Sequence, residues 1–227
     1  MKLIKLNILS LLLLIITGHF SLALVGENLN ELNTMKKSDK NLNAIPAGMQ
    51  VATLGGGCFW CVEAIYESVE GVKEVISGYS GGTEENPTYE QVSYGKTSHA
   101  EAVEVYYNPN EISYIELVQV FFGSHDPTSL NRQGPDRGAQ YRSIAFYKNP
   151  EEKKIIESYM AALEESGIYN DPIVTEVTAF TKFYDAEDYH QDYEKKNPDN
   201  SYIRQVSIPR LNRFKKNFPG YLKKEVH

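Results

Sequence analysis

The chain has 227 residues, 41% of them hydrophobic and 23% charged, with two cysteines and a formal charge of -7. This composition excludes a collagen-like, disulfide-dense or wholly disordered chain, and accommodates one domain or two small ones. Thirty Asp and Glu against 23 Lys and Arg also argue against nucleic acid as a partner, because affinity for a phosphate backbone comes from clustered basic residues displacing counterions.

In chain order, residues 1–23 have the pattern of a secretory signal. Lys2 and Lys5 give a basic start, Ile8 to Ile16 is apolar except for Ser10, and Ser21-Leu22-Ala23 offers small residues at a cleavage-site spacing. The apolar core falls short of the roughly 20 residues a bilayer span needs, which leaves an uncleaved N-terminal anchor as the alternative. Export, to a periplasm or out of the cell, is the expectation. Residues 24–48 turn polar and read as a linker, with Leu29, Leu32 and Met35 keeping a packed helix open. Residues 49–227 are expected to form one domain, and nothing in the sequence demands more than a monomer.

Gln50 to Leu54 is a short apolar strand before three glycines, and Phe59 to Val69 then places Val62, Ile65, Tyr66 and Val69 at helical spacing. Val72 to Tyr79 and Glu101 to Tyr107 read as strands that pair across an irregular loop. Ser113 and Glu116 form a capping box before a helix presenting Tyr114, Leu117, Val118, Phe121 and Phe122. Ser143 to Tyr147 is a strand. Asn149, Pro150 and Glu152 open a third helix that buries Ile155, Ile156, Tyr159 and Leu163, and Ile173 to Thr178 returns as a strand. The C-terminal third, rich in Tyr, Asn and Lys, reads as mostly irregular. Its basic residues Arg210, Arg213, Lys215, Lys216, Lys223 and Lys224 read as a solvated tail. Alternating strands and helices with one adjacent antiparallel pair predict an α+β fold, a mixed sheet with packed helices.

The most informative segment is Gly55-Gly56-Gly57-Cys58-Phe59-Trp60-Cys61. A cysteine at a helix start faces unpaired N–H groups and the positive end of the helix dipole, so the Cys58 thiol is expected to be lowered and to serve as a nucleophile. Cys61, one turn on, is within disulfide reach. A zinc site is not expected, because no second cysteine pair accompanies this one. A structural staple is compatible with export, but closing so short a loop contributes only about 2 kcal/mol in the loop-entropy model. The helix-start position favours a redox-reactive pair, and a thioredoxin-like thiol-disulfide exchanger is one enzyme of that kind.

Glu101 shares a strand face with Val103, Val105 and Tyr107, and a carboxyl on an apolar face holds its proton to higher pH. It is a candidate acid; the alternative is a solvated residue at a frayed strand start.

From about Val51 to Asn197 the sequence resembles the A-type peptide methionine sulfoxide reductases. The resemblance runs through Gly57-Cys58-Phe59-Trp60, Gly78-Tyr79-Ser80-Gly81-Gly82, Asn86-Pro87-Thr88-Tyr89, His99-Ala100-Glu101, His125-Asp126-Pro127, Arg132-Gln133-Gly134-Pro135-Asp136, Gln140-Tyr141-Arg142-Ser143 and Tyr189-His190-Gln191. It implies a fold like an elaborated ferredoxin plait with an irregular C-terminal segment. It also implies reduction of the S epimer of methionine sulfoxide, free or in oxidised proteins, with no bound cofactor and an external dithiol such as a thioredoxin-like protein as reductant.

By the same resemblance Cys58 attacks, Glu101 is the acid near the sulfoxide oxygen, and Tyr89 and Tyr141 hydrogen-bond to that oxygen. Phe59 and Trp60 hold the methyl group and Asp136 shapes the pocket. Many relatives have glycine at position 61 and a recycling cysteine near the C-terminus, often just after the tyrosine corresponding to Tyr202. Here Ile203 stands there and no cysteine follows Cys61. Recycling therefore falls to Cys61, or an outside thiol reduces the Cys58 sulfenic acid directly. His99, His125 and His190 are expected to pack or fix loops.

Overall fold

The computed structural model describes residues 48–224. The signal expected at 1–23 and all but the last residue of the linker expected at 24–48 lie outside the described residues. Six strands form one sheet in the order β7-β6-β1-β3-β2-β8, with β1 Gln50–Gly56, β2 Val72–Ser80, β3 Ala100–Tyr107, β6 Ser143–Tyr147, β7 Glu176–Ala179 and β8 Phe183–Asp185. All neighbours are antiparallel except β6 and β7, and β4 Arg132–Gln133 pairs with β5 Asp136–Arg137 in a separate hairpin. The longer helices are α1 Phe59–Glu67, α3 Tyr114–Ser124, α4 Pro150–Ser166 and α6 Ile208–Asn217; α2 Tyr89–Ser93 and α5 Tyr193–Lys196 are short. The fold is α+β, as the alternation of periods predicts.

Local chemistry accounts for the helix starts. The Glu116 carboxylate accepts from the Ser113 N–H at 2.8 Å and from its hydroxyl at 2.6 Å, holding two groups that would otherwise lack partners. At α4 the Asn149 side chain accepts from the Glu152 N–H at 2.8 Å, while Glu152 takes the Lys148 N–H at 2.6 Å, one residue earlier than a regular box would. The core lies mainly on one face of the sheet, where Leu54, Val103, Val105 and Tyr107 meet Val62, Ile65, Tyr66 and Phe121. A smaller cluster of Ala100, Ala102, Ile144 and Phe146 covers the other face with Phe180 and Phe183. Both faces of β3 are therefore buried at its first residues, and Glu101 is 1% exposed rather than frayed into solvent.

Four expectations are corrected. β1 runs straight through Gly55 and Gly56, and the turn is confined to Gly57, whose φ is 92°. The β2–β3 connection is not irregular throughout: Thr88 caps α2 with Gln91 in a reciprocal box. The C-terminal third is not irregular to its end: after a largely irregular stretch with short elements, a π-helical segment Ile203–Ser207 leads directly into α6. Arg210 in α6 is buried at 6% exposure, not part of a solvated tail. Its Nε donates to the Ser124 carbonyl and its Nη2 to the Gly56 carbonyl, each at 2.8 Å.

Candidate active site

The site forms where β1 delivers the chain into α1, beside the first residues of β3. Two glycines make the approach possible. A Cβ on Gly55 would fall 2.7 Å from the Glu101 carbonyl oxygen, and one on Gly57 would fall 2.6 Å from the Gln133 side chain. With the turn made at Gly57, Cys58 becomes the residue preceding α1, and the Phe59 N–H points at β3.

That N–H donates to Glu101 Oε2 at 3.0 Å. The first free donor of the helix thus goes to the carboxyl. Burial pushes the Glu101 carboxyl up to about 8, the Phe59 N–H opposes this, and Asp136 and Cys61 add to it. Glu101 is therefore predominantly protonated at neutral pH and able to act as an acid.

Cys58 and Cys61 are both free and buried, and their sulfurs share a hydrogen bond. The expectation of a lowered Cys58 thiol is overturned. Burial pushes it up, the bond to Cys61 and the Cys61 and Glu101 charges add to this, and the Tyr202 hydroxyl opposes it. Cys61 is the lowered thiol, at about 6: the Cys58 S–H donating to it is the largest cause, its own burial opposes this, and the Arg210 charge and the nearby Ser207 and Tyr202 hydroxyls add to the lowering. Of the two, Cys61 is the thiol that ionises first.

The aromatic residues expected at the site converge there. Phe59 lies 6.0 Å from Trp60 and 6.2 Å from Tyr89, ring centre to ring centre. Tyr89 opens α2, its N–H donating to Glu187 Oε1 at 3.0 Å, and the same carboxylate accepts from the Tyr79 hydroxyl at 2.9 Å. Tyr141 ends the short 3-10 turn Ala139–Tyr141 after the β4–β5 hairpin, a turn tied to α2 by the Gln140 amide donating to the Ser93 carbonyl at 2.8 Å. Burial raises both phenols, with the nearby Glu101 and Cys58 next in effect on each, so both stay protonated as donors. Asp136 accepts from the Tyr202 hydroxyl at 2.6 Å, and that oxygen lies 3.8 Å from the Cys61 sulfur.

Sequence reasoning assigned no site role to Tyr193, Glu63 or Arg210. Tyr193 stacks flat on Trp60, with ring centres 3.8 Å apart and planes 8° from parallel. His190, read only as a packing residue, accepts the Trp60 Nε1–H on its Nδ1 at 3.1 Å. His99 and His125 are held in loops and termini: the Gly82 N–H donates to His99 Nδ1, and His125 bonds to the Phe121 carbonyl and to Ser143. Among the described residues no group of three or more His, Cys, Asp or Glu is placed to hold a metal ion.

A family model described as peptide methionine sulfoxide reductase matches residues 50–221. The chain belongs to that family. It is 51% identical over 176 residues to peptide methionine sulfoxide reductase MsrA 1 of Rhodopirellula baltica, a match covering 78% of this chain and 91% of the relative. It is 48% identical to MsrA 2 of a Synechocystis species, over 78% of this chain and 83% of that one. Among solved structures, the reduced form of Mxr1 from Saccharomyces cerevisiae superposes with a TM-score of 0.62 at 36% identity, over 71% of this chain and 92% of that one. Methionine sulfoxide reductase A of Corynebacterium diphtheriae gives 0.61 at 35% identity, over 70% of this chain and 80% of that one. The matched span contains Cys58, Glu101, Tyr89, Asp136 and Tyr141, along with the helix that carries Arg210.

Proposed function

We propose that this enzyme reduces the S epimer of methionine sulfoxide, free or within proteins, to methionine, with Cys58 as nucleophile, Glu101 as acid and Cys61 as resolving cysteine. The observation that carries the reading is the buried carboxyl of Glu101, pushed up by burial, hydrogen-bonded at 3.0 Å to the N–H of the residue after Cys58 and close to Tyr89 and Tyr141. A sulfoxide sulfur becomes electrophilic only when its oxygen is protonated or strongly hydrogen-bonded, so a sulfur nucleophile facing a neutral carboxyl and two phenols meets the requirement.

In the first step the Cys58 sulfur attacks as its proton passes to Cys61 across their shared hydrogen bond. Glu101 gives its proton to the sulfoxide oxygen, with Tyr89 and Tyr141 donating to the same atom. Methionine leaves, its sulfur reduced by two electrons, and Cys58 is oxidised to the sulfenic acid. The Cys61 sulfur then attacks Cys58, expelling the oxygen as water and closing a Cys58–Cys61 disulfide. An external dithiol of the thioredoxin kind returns both thiols to the reduced state and leaves as a disulfide. Phe59 and Trp60 enclose the methyl group, and Asp136 fixes Tyr202 beside Cys61.

The leader pattern at residues 1–23 supports an exported enzyme that repairs oxidised methionine in envelope or secreted proteins. The test of the reaction is methionine formed from each epimer of a blocked methionine sulfoxide with a small dithiol as reductant. Product from the S epimer alone is the expected result, and no product from either epimer would overturn the reading.

A further inference from the structure

Glu63 is a buried carboxyl that the reaction leaves unused. It lies on α1 three residues after Trp60, hence on the same side of the helix, and is 2% exposed. Burial pushes it up to about 7, against the opposing effect of the Asp192 N–H, with Glu67 and Asp192 adding to the rise. Burying a carboxyl is costly, so what it holds in return is informative.

It holds a chain reversal. The Asp192 N–H donates to Glu63 Oε1 at 2.9 Å, and Asp192 sits in the left-handed region at φ 54° and ψ 31°, a conformation that residues with a Cβ disfavour. The residues around it fasten to Trp60 and to β2 beside it. His190 accepts from the Trp60 indole at 3.1 Å. Gln191 takes the Ser77 N–H at 2.9 Å and donates to the Ser77 and Ala186 carbonyls, each at 3.0 Å. Tyr193 lies face to face with Trp60 at 3.8 Å. The reversal at Asp192 lets His190 and Tyr193, three residues apart, meet the same indole.

We propose that Glu63 is a positioning residue for the substrate pocket: by holding the reversal at Asp192 it seats Tyr193 on Trp60 and fixes the indole plane that receives the methyl sulfoxide. The inference rests on the reading that Trp60 walls that pocket. An amide at position 63 offers the same acceptor lone pair, so the geometry of the acceptor carries the role rather than its charge.

The test uses the full chain, whose only tryptophan is Trp60. Glu63→Leu removes the acceptor at similar volume. It should raise KM for a blocked S-epimer methionine sulfoxide about tenfold while kcat stays within about threefold, the pattern of lost substrate positioning. The near-ultraviolet circular dichroism of Trp60 should weaken in parallel, and Glu63→Gln should restore both. Tyr193→Leu should reproduce the rise in KM, and combining it with Glu63→Leu should add little, since both act through one contact. A Glu63→Leu enzyme with a lowered melting temperature but wild-type KM and Trp60 signal would overturn the inference. So would a wild-type KM in Tyr193→Leu, which decides the matter if Glu63→Leu does not fold. Unchanged KM in Trp60→Ala would instead strike at the pocket reading underneath.

Discussion

The Phe59 N–H and the Glu101 carboxyl, 42 residues apart in sequence, meet at 3.0 Å. This bond joins the start of the helix that carries both cysteines to the strand that carries the acid. It also explains why the helix start does not produce a Cys58 thiolate: its first free donor is already engaged by Glu101. The cost of that arrangement is measurable. The Glu101 carboxyl is raised from 4.5 to about 8, so the folded enzyme binds a proton that the unfolded chain releases between those values, and stability falls as pH climbs through that window. Glu101→Gln keeps an acceptor for Phe59 and carries no charge. Its melting temperature should exceed that of the wild type by several degrees above pH 8 and converge with it near pH 4.5. Its turnover should drop by about a hundredfold or more. Parallel melting curves for the two proteins from pH 5 to 9 would contradict this.

The rate of the sulfoxide step should depend on pH through the same groups. Loss of the Glu101 proton ends the reaction above about 8, and protonation of Cys61 removes the acceptor for the Cys58 proton below about 6. Single-turnover rates should therefore form a bell between those values, which belong to the coupled network rather than to isolated residues. In Cys61→Ser the Cys58 proton must be lost to solvent from a buried thiol, so the acid limb should move to higher pH and the rate should fall, with the alkaline limb retained. An acid limb that stays in place after the substitution would show that Cys61 is not the acceptor of the Cys58 proton.

Arg210 supports both the geometry and the sulfur chemistry. Arg210→Met would leave the Ser124 and Gly56 carbonyls without their donor and remove a buried charge near Cys61. The expected loss is about 2–4 kcal/mol in denaturant unfolding. The pH midpoint for alkylation of Cys61 should rise in the folded variant, and Arg210→Lys should recover part of it. An unchanged midpoint in the folded Met variant would contradict the role given to this charge.

Much of this was legible in the sequence, for identifiable reasons. Strands and helices with regular apolar spacing, from Val72–Ser80 to Pro150–Ser166, appear where periodicity and caps place them. Glu101 was legible because the alternation of its strand puts it on an apolar face. Tyr89, Tyr141 and Asp136 could be tied to the site only through resemblance, since they sit on short turns with no period of their own. The C-terminal third misled because its helix-formers are polar. α6 fully buries only Phe214 and Arg210, with Leu211 half-buried beside them, and one of its buried positions is a charged residue that a search for apolar spacing passes over. Tyr193 and Arg210 act on Trp60 and Gly56 across more than 130 residues of chain, and local spacing contains no trace of such contacts. The Cys58 expectation failed because a helix start predicts an anion only where the donor is free and the sulfur solvated. Neither condition could be read from the sequence.

The central claim is that Cys58 reduces the sulfoxide and Cys61 only resolves the product. The most direct measurement is methionine formed per enzyme, without added reductant, from a blocked S-epimer sulfoxide, for wild type, Cys58→Ser and Cys61→Ser. The account predicts one methionine per enzyme from wild type, which ends with no free thiols. Cys61→Ser should give one more slowly and end as a sulfenic acid, and Cys58→Ser should give none. Methionine from Cys58→Ser, or none from wild type, would contradict it.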